Sequence, residues 1–330
     1  MRRNQSMVNN FLLLGFSNLP GLEGLFFFVF LTIYLLTLTG NSLIIMVTLT
    51  DQTLHSPMYF FLRNLSFLEI CYTSITIPKM LENLLSKDKT ISFFGCAFQM
   101  SLFLITGAAE CYILAGMAYD RYVAICQPLH YTLIMSSRVC YELVAASWLV
   151  GVPVQLSQTF LVFTSYFCNS NVINHFFCDI PPMVNLVCGD ISINELVAQV
   201  EVALLAVIPF ALVLMSYVCI GSTILKIPSV EGRRKAFSTC SSHLMVVVVF
   251  YGSGMTVYLK PKSSHSLDMD KFLSLFYTIL PPFINPLIYS LRNKEVRVAL
   301  GKVLLTLHSQ ETNGHRKNEH SKTLGDIPTH

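Results

Sequence analysis

The chain has 330 residues, of which 53% are hydrophobic and only 12% are charged, with a formal net charge of +3. Soluble domains carry about 25% charged residues, and a chain this apolar has too little polar surface to enclose its hydrophobic residues in one core. The composition therefore excludes a soluble globular protein, and the small net charge gives no indication of a nucleic-acid partner. We expect a polytopic membrane protein.

Seven apolar runs follow one another, each long enough to cross about 30 Å of hydrocarbon as a helix. They cover residues 24–49, 58–80, 95–119, 140–163, 197–225, 237–259 and 272–291. The predicted fold class is an all-α membrane protein, a seven-transmembrane helix bundle with a short amphipathic helix after the seventh run. The first run is too long for a cleaved signal peptide.

Three parts are expected along the chain: an extracellular segment at 1–23, the bundle with its interfacial helix at 24–305, and a disordered cytoplasmic tail at 306–330. Placing the N-terminus outside puts more Lys and Arg on the cytoplasmic side than on the outer side, as membrane proteins prefer. The sequence Asn4-Gln5-Ser6 is a glycosylation signal and indicates the same orientation, with Asn4 modified. We expect a multi-pass plasma-membrane protein.

Four cysteines fall on the outer side in this orientation. Cys96 begins the third run, and Cys168, Cys178 and Cys188 lie in the long loop 164–196. An even number of cysteines in an oxidising compartment indicates two disulfides, for which three pairings exist.

Several short motifs stand at matching depths in the runs. Asp120-Arg121-Tyr122 ends the third run, and Asn285-Pro286-Leu287-Ile288-Tyr289 lies in the seventh. Together with Gly40-Asn41, Trp148 and Pro209, they resemble the motifs of rhodopsin-like G-protein-coupled receptors.

Longer stretches carry a finer resemblance. They are LHSPMYFFL (54–62), MAYDRYVAIC (117–126), PLHY (128–131), NHFFCD (174–179), SY (216–217), KAFSTCSSHL (235–244) and PLIYSLRN (286–293). The chain is similar to olfactory receptors from about residue 10 to 305, and its first helix and KPKSSHSLDMDKF loop resemble the tetrapod-type, class II branch.

This resemblance implies a receptor that binds a small, mostly apolar volatile molecule and activates a stimulatory, olfactory-type G protein to raise cyclic AMP. A chemoreceptor of the same fold for an endogenous metabolite in a non-olfactory tissue is the alternative. A transporter would show two related halves, which the sequence lacks. We find no phosphate loop, metal spacing or nucleophile–base pair that would indicate an enzyme.

The resemblance also implies a switch at the cytoplasmic end. Asp120 would hold Arg121 at rest, and Arg121 would become available to the G protein when the sixth helix moves; an interfacial anchor is the simpler reading of Arg121. The other candidate coupling residues are Tyr122, Tyr217, Lys235, Ser238, His243, Asn285, Pro286 and Tyr289. Arg292 to Leu305 alternates cations with apolar residues, as an interfacial helix on membrane lipid does.

The ligand pocket implied by the resemblance lies in the outer half, among the third, fifth, sixth and seventh helices. Candidate lining residues are Met100, Phe103, Leu104, Gly107, Ala108, Glu201, Val202, Leu205, Ala206, Tyr251, Met255, Thr256, Tyr258, Leu275 and Thr278. Phe103 stands where amine receptors carry Asp. Glu201 faces either the pocket or the loop. The loop 164–196 would cover the pocket, with Cys96–Cys178 and Cys168–Cys188 as its disulfides.

Two carboxylates, Glu69 and Glu110, lie near the middle of their runs, where an unpaired charge is costly. With Asn41, Ser66 and Asn285 at similar depth, they could form a polar group. Three interpretations remain: a sodium site, a proton shared between the two carboxylates, or two neutral acids held by hydrogen bonds. Apart from this possible ion, we expect no cofactor.

Overall fold

Seven long helices form the molecule in a computed structural model that describes residues 8–17, 19, 21–167, 170–188, 192–258 and 267–303. Their bounds are α1 Glu23–Thr50, α2 Pro57–Leu85, α3 Phe93–Cys126, α4 Ser137–Thr164, α5 Ser192–Lys226, α6 Val230–Tyr258 and α7, in two parts, Leu267–Thr278 and Leu280–Arg292. The predicted seven-helix bundle is confirmed.

Most of the helices extend past their apolar runs because polar residues continue or cap them. α2 begins with Pro57 in the first turn, where a missing N–H costs nothing. α3 begins after Ser92, whose hydroxyl accepts a hydrogen bond from the Gly95 N–H at 3.1 Å. Within the described residues, six helices are long and apolar enough to span a membrane by composition; α2, with 29 residues, is the seventh and carries more polar side chains.

Two helices are irregular where prolines interrupt the backbone ladder. In α5, residues Ala203–Val207 form a π-helical turn immediately before Pro209. In α7 the helix breaks at Ile279, and Pro281 and Pro282 follow in the next turn. Proline has no N–H to donate and clashes with the preceding turn, so the ladder shifts at both places.

Two glycines let neighbouring helices approach closely. A Cβ on Gly40 of α1 would lie 3.1 Å from Pro286 Cβ of α7. A Cβ on Gly151 of α4 would lie 3.2 Å from Ala108 Cβ of α3. Both distances are shorter than an ordinary van der Waals contact, so a larger residue would push the helices apart.

A small three-stranded sheet, absent from the sequence prediction, closes one end of the bundle. β1 (Asn10–Leu13) pairs antiparallel with β2 (Thr90–Ser92) and parallel with β3 (Val172–Ile173). Phe11 and Leu13 of β1 are fully buried. The N-terminal segment and the long loop are therefore fastened together at this end, which we name the outer end; the end at Cys126 is the inner end.

A short helix follows α7 at the inner end, as predicted. Residues 294–303 are helical, and we name this helix α8. Asn293 caps it, because its Oδ1 accepts from the backbone N–H groups of Glu295 and Val296 at 2.9 and 3.2 Å. Val296 is buried against the bundle and Val298 is exposed. Lys302 Nζ also contacts Asp51 Oδ2 at 2.9 Å, which ties α8 to the loop after α1.

Candidate functional site

The acid and arginine at the inner end of α3 form a closed ion pair. Arg121 Nη2 and Nε both donate to Asp120 Oδ2, at 2.6 and 3.1 Å. Asp120 is completely buried and the Arg121 side chain is 12% exposed. A pair in so dry a site is stable while it is together and costly to split without new partners.

Tyr131 also bonds to this ion pair, a contact that the sequence prediction missed. The Tyr131 hydroxyl donates to Asp120 Oδ1 at 2.7 Å, so both carboxylate oxygens are bonded. Tyr131 begins a single helical turn, Tyr131–Ile134, in the loop between α3 and α4. Burial and the nearby Asp120 charge raise the pKa of Tyr131 above its ordinary value, which keeps the hydroxyl a donor. The PLHY motif, which ends in Tyr131, was the available signal in the sequence, although the motif does not show which residue Tyr131 contacts.

The inner segments of α5, α6 and α7 bring other candidate coupling residues to the same region. The Tyr217 hydroxyl lies 2.7 Å from His243 Nδ1, joining α5 to α6. His243 and Tyr289 are both buried, and neither His243 Nε2 nor the Tyr289 hydroxyl has a hydrogen-bond partner in the part of the chain described. Tyr122 accepts from Gln127 at 3.3 Å. The Lys235 side chain lies outside the described residues.

A cavity of about 990 Å³ opens at the inner end beside the ion pair. Its lining includes three arginines from three helices, namely Arg121, Arg234 and Arg292, and it also contains Ser238, His243 and Tyr289. Glu231, Glu295 and Lys294 also line it. A concave, mainly cationic surface of this kind suits a protein segment that carries acceptors or negative charge.

Four buried polar side chains meet in the middle of the bundle. Asn285 Nδ2 of α7 donates to Glu69 Oε1 of α2, and Glu110 and Asn41 are close enough to interact with the Glu69 charge. Asn41 itself donates to the Pro282 carbonyl at 3.1 Å, joining α1 to α7. The predicted proximity of these groups is therefore observed.

The unpaired atoms of this polar group are all oxygens. Among the described residues, Glu69 Oε2, Glu110 Oε1, Asn41 Oδ1 and Asn285 Oδ1 have no hydrogen-bond partner. No set of three or more His, Cys, Asp or Glu that could hold a metal occurs there. A hard cation would have two carboxylates and two amide oxygens for ligands, a donor set that fits an ion such as sodium.

At the outer end, the predicted disulfide between Cys96 of α3 and Cys178 of the long loop is present, with the Cα atoms 5.5 Å apart. Cys188 is also disulfide-bonded. Its predicted partner, Cys168, lies outside the described residues, as does the predicted glycosylation site Asn4.

Hydrogen bonds fasten the long loop to two helices. The Cys178 N–H donates to Gln99 Oε1 of α3 at 3.0 Å. Tyr277 of α7 donates to Asp179 Oδ2 at 2.7 Å, and His175 Nε2 lies 2.9 Å from Ser274 Oγ. The loop is therefore bound to α7 through residues of the NHFFCD stretch, which the sequence prediction had not assigned.

The pocket candidates on α3 lie under this loop. The Phe103 ring is 4.6 Å from the rings of both Tyr72 and Phe177, so the loop packs directly onto it. Met100 and Leu104 belong to the same buried cluster. A Cβ on Gly107 would meet Tyr72, whereas Ala108 lies against Gly151 of α4. All five remain predictions as ligand contacts.

The candidates on the other helices occupy varied positions. Glu201 and Leu205 are buried on one face of α5 with Pro209 and Val213, so Glu201 faces the bundle interior. The Tyr251 hydroxyl donates to the Cys111 carbonyl at 3.0 Å, and Thr278 Oγ1 donates to the Ser274 carbonyl at 2.6 Å. The partly buried candidates are Val202, Ala206, Met255 and Leu275. The side chains of Thr256 and Tyr258 lie outside the described residues.

The fold, the closed Asp120–Arg121 pair and the loop disulfide match what the resemblance implied, and sequence comparison decides the family. The family model for the olfactory receptor matches residues 30–307. The chain belongs to the olfactory receptor family. This olfactory receptor is 56% identical to human "Olfactory receptor 10A5" over 300 residues, which cover 91% of this chain and 95% of the relative.

Further relatives agree. The receptor is 55% identical to human "Olfactory receptor 10C1" over 92% of this chain and 97% of that one. It is 48% identical to mouse "Olfactory receptor 2C1" over 91% and 96%. It is thus a multi-pass plasma-membrane receptor of the G-protein-coupled class that serves odorant detection and is not an enzyme.

Proposed function

We propose that this olfactory receptor binds a small, mostly apolar volatile molecule in the outer half of its bundle and activates a stimulatory, olfactory-type G protein, which raises cyclic AMP. The proposed pocket lies beneath the long loop and is lined by the candidates on α3, α5, α6 and α7. Aromatic and aliphatic side chains dominate there, which favours a ligand that gains affinity by burying apolar area, roughly 25 cal/mol per Å².

The single observation that carries the coupling proposal is the position of the ion pair beside the inner cavity. Arg121 lines the cavity and is held by Asp120, which Tyr131 also bonds. A movement of α6 would change the cavity wall formed by Arg234, Ser238 and His243. Arg121 could then exchange Asp120 for a group on the G protein, because only a new partner compensates a buried arginine for its lost carboxylate.

The stimulatory type of G protein is proposed from the resemblance to olfactory receptors. The inner cavity supports a G-protein partner in general through its shape and its three arginines.

The experiment is a cyclic AMP reporter assay in cells that display the full chain at their surface, across a chemically diverse odorant panel. Arg121→Ala should abolish every response while surface display is retained. Arg138→Ala is the matched control, because this arginine is 87% exposed and pairs with Glu142 of its own helix. Odorant responses that survive in Arg121→Ala would contradict the coupling proposal.

We also propose that the polar group in the middle of the bundle holds a sodium ion between Glu69 and Glu110. Its four unpaired oxygens support this, because a hard cation takes carboxylate and amide oxygens as ligands. Two neutral acids are the alternative, since their O–H groups would donate to the same oxygens. Replacing sodium with choline at constant ionic strength should lower the melting temperature of the purified receptor. Glu110→Gln should remove that sodium dependence. If the two carboxylates instead share a proton, the melting temperature should depend on pH and not on sodium.

For the ends of the chain we propose an extracellular segment at 1–23 with glycosylated Asn4, and a cytoplasmic tail at 306–330. α8 would rest on lipid at the inner leaflet, since Val298 is exposed on its outward side. Loss of a glycosidase-sensitive mass in Asn4→Gln is the measurement that checks the orientation.

A further inference from the structure

Three buried polar side chains of α4 and α5 have atoms without hydrogen-bond partners in the described residues. They are Gln155 Oε1, Gln158 Oε1 and Nε2, and Glu201 Oε1. Gln158 is completely buried, and Gln155 and Glu201 are 7% and 5% exposed. Buried polar groups are nearly always paired in folded proteins, so an unpaired set needs an explanation.

The three side chains face the bundle interior and not the lipid. On α4 the buried positions recur every three or four residues, at Ser147, Gly151, Gln155, Gln158 and Val162. Gly151 packs against Ala108 of α3, which fixes the direction of that face. On α5, Glu201 shares the inward face with Leu205 and Pro209.

A contact near the outer end shows that the side chains lie at similar depth. Asn194 Nδ2 of α5 donates to Ser165 Oγ, just after α4, at 3.3 Å. α4 runs toward the outer end and α5 runs away from it. Gln158 is seven residues inward from Ser165, and Glu201 is seven residues inward from Asn194, so both lie about 10.5 Å below this contact.

Contacts nearer the inner end give a second estimate. The Tyr112 hydroxyl of α3 donates to the Leu204 carbonyl at 2.8 Å, which places Glu201 near the level of Ala108 and Gly151. The two estimates put Glu201 between the levels of Gly151 and Gln158. Gln155 lies midway in that interval, so the three inward-facing side chains lie at similar depth, and we name them the α4–α5 polar site.

The surroundings of the site restrict what it can bind. Leu104, one turn outward from Ala108 on α3, and Leu205, one turn inward from Glu201 on α5, are buried and apolar. The only basic residues of α4 and α5, Arg138 and Lys226, are at the inner ends of their helices. A ligand carboxylate would therefore find no counter-ion on these two helices and would face Glu201.

The hydrogen-bonding capacity of the site distinguishes among neutral and cationic ligand groups. Glutamine offers both a donor and an acceptor, and a carboxyl group offers acceptors. A hydroxyl group can donate to Glu201 or Gln155 while it accepts from Gln158 Nε2. An ether only accepts, and an ammonium group only donates and must also lose its hydration.

We propose that Gln155, Gln158 and Glu201 form the polar end of the odorant pocket and that they bind the hydroxyl group of an apolar alcohol. This inference rests on the proposed function, because it assigns the ligand class of the same outer-half pocket. The site requires an aliphatic body that packs on Leu104 and Leu205 with a terminal hydroxyl between α4 and α5.

The test measures thermal stabilisation of the purified full-length receptor by straight-chain alcohols from hexanol to decanol and by the methyl ether and primary amine of each chain. We expect at least one alcohol to bind about tenfold more tightly than its ether and its amine, the effect of one to two buried hydrogen bonds. Gln158→Leu and Glu201→Leu should each reduce this preference to about twofold or less. Unliganded melting curves show whether these variants are folded.

Two further variants separate hydrogen bonding from charge and from helix perturbation. Glu201→Gln should retain the alcohol preference, because an amide also donates and accepts. Val200→Leu is the matched control on the lipid-facing side of the same turn, since Val200 is 49% exposed, and it should retain the preference too. No alcohol preference at any chain length, or a preference for amines that Glu201→Gln removes, would overturn the proposal.

A cyclic AMP assay with the same compounds distinguishes this inference from the proposed function. Alcohol binding without a cyclic AMP response contradicts the coupling and leaves the polar site supported. Equal cyclic AMP responses to alcohols and ethers overturn the polar site and leave the coupling supported.

Discussion

Replacing Tyr131 with Phe removes one hydrogen bond from the Asp120–Arg121 pair and keeps the aromatic ring. The lost bond, 2.7 Å long, ends on a buried carboxylate, and hydrogen bonds to charged groups contribute about 1.5–3 kcal/mol. Because Tyr131 is only half-buried, we take the lower end of that range. If the bond exists only in the resting conformation, its loss raises the active population about tenfold.

The assay is ligand-free cyclic AMP, normalised to the amount of receptor at the surface. Tyr131→Phe should raise this basal signal several-fold, up to about tenfold. The increase should be the same from about pH 6 to pH 8, because the pKa of Tyr131 is raised from an ordinary value near 10 and the hydroxyl stays protonated throughout. The matched control is Tyr141→Phe, an exposed tyrosine at the inner end of α4, which should leave the basal signal unchanged.

An unchanged or lower basal signal in Tyr131→Phe, at equal surface density, would refute the reasoning. It would show that the bond to Asp120 persists in the active conformation or contributes little to the resting one. An equal increase in Tyr141→Phe would show that the effect does not depend on the bond to Asp120.

Three other predictions concern stability. Cys96→Ser should lower the free energy of unfolding by about 2–5 kcal/mol, because its disulfide links residues that are 82 apart in sequence. The variant should not reach the cell surface, whereas Cys219→Ser, at an exposed free cysteine, should be displayed normally. Tyr277→Phe should cost about 1–3 kcal/mol in unfolding free energy by depriving the buried Asp179 of a donor, and hydrogen exchange should increase in residues 170–188. Asp51→Asn should lower the melting temperature slightly at low salt, by an amount constant from about pH 5 to pH 8. The Lys302 contact and the Thr53 bonds lower the pKa of Asp51 from 3.8 to about 2. The contribution of Asp51 to stability is therefore complete above pH 3.8 and is lost as the pH falls through about 2. A change in this contribution between about pH 5 and pH 8 would contradict the assignment.

The sequence alone was sufficient for the helices, because a membrane span is determined by local composition. About twenty apolar residues must form a helix in hydrocarbon, where every backbone group needs a partner within its own segment. The residues that start or cap the helices, such as Pro57 and Asn293, also act within one turn of the chain, although the sequence prediction did not assign them. Asp120 and Arg121 were also predictable as a pair, since they are adjacent in the chain.

The tertiary structure decided whatever depends on residues far apart in the chain. β1 is four residues long and pairs with segments about 80 and 160 residues away, so no local pattern announces it. Tyr131 is bonded to Asp120 because the loop after α3 turns back, and Asp179 reaches Tyr277 because the long loop, held to α3 by the Cys96–Cys178 disulfide, lies over α7. The inward direction of Glu201 likewise follows from how α5 packs, since a helix in lipid is apolar on nearly all sides and its sequence period does not reveal which side meets the bundle.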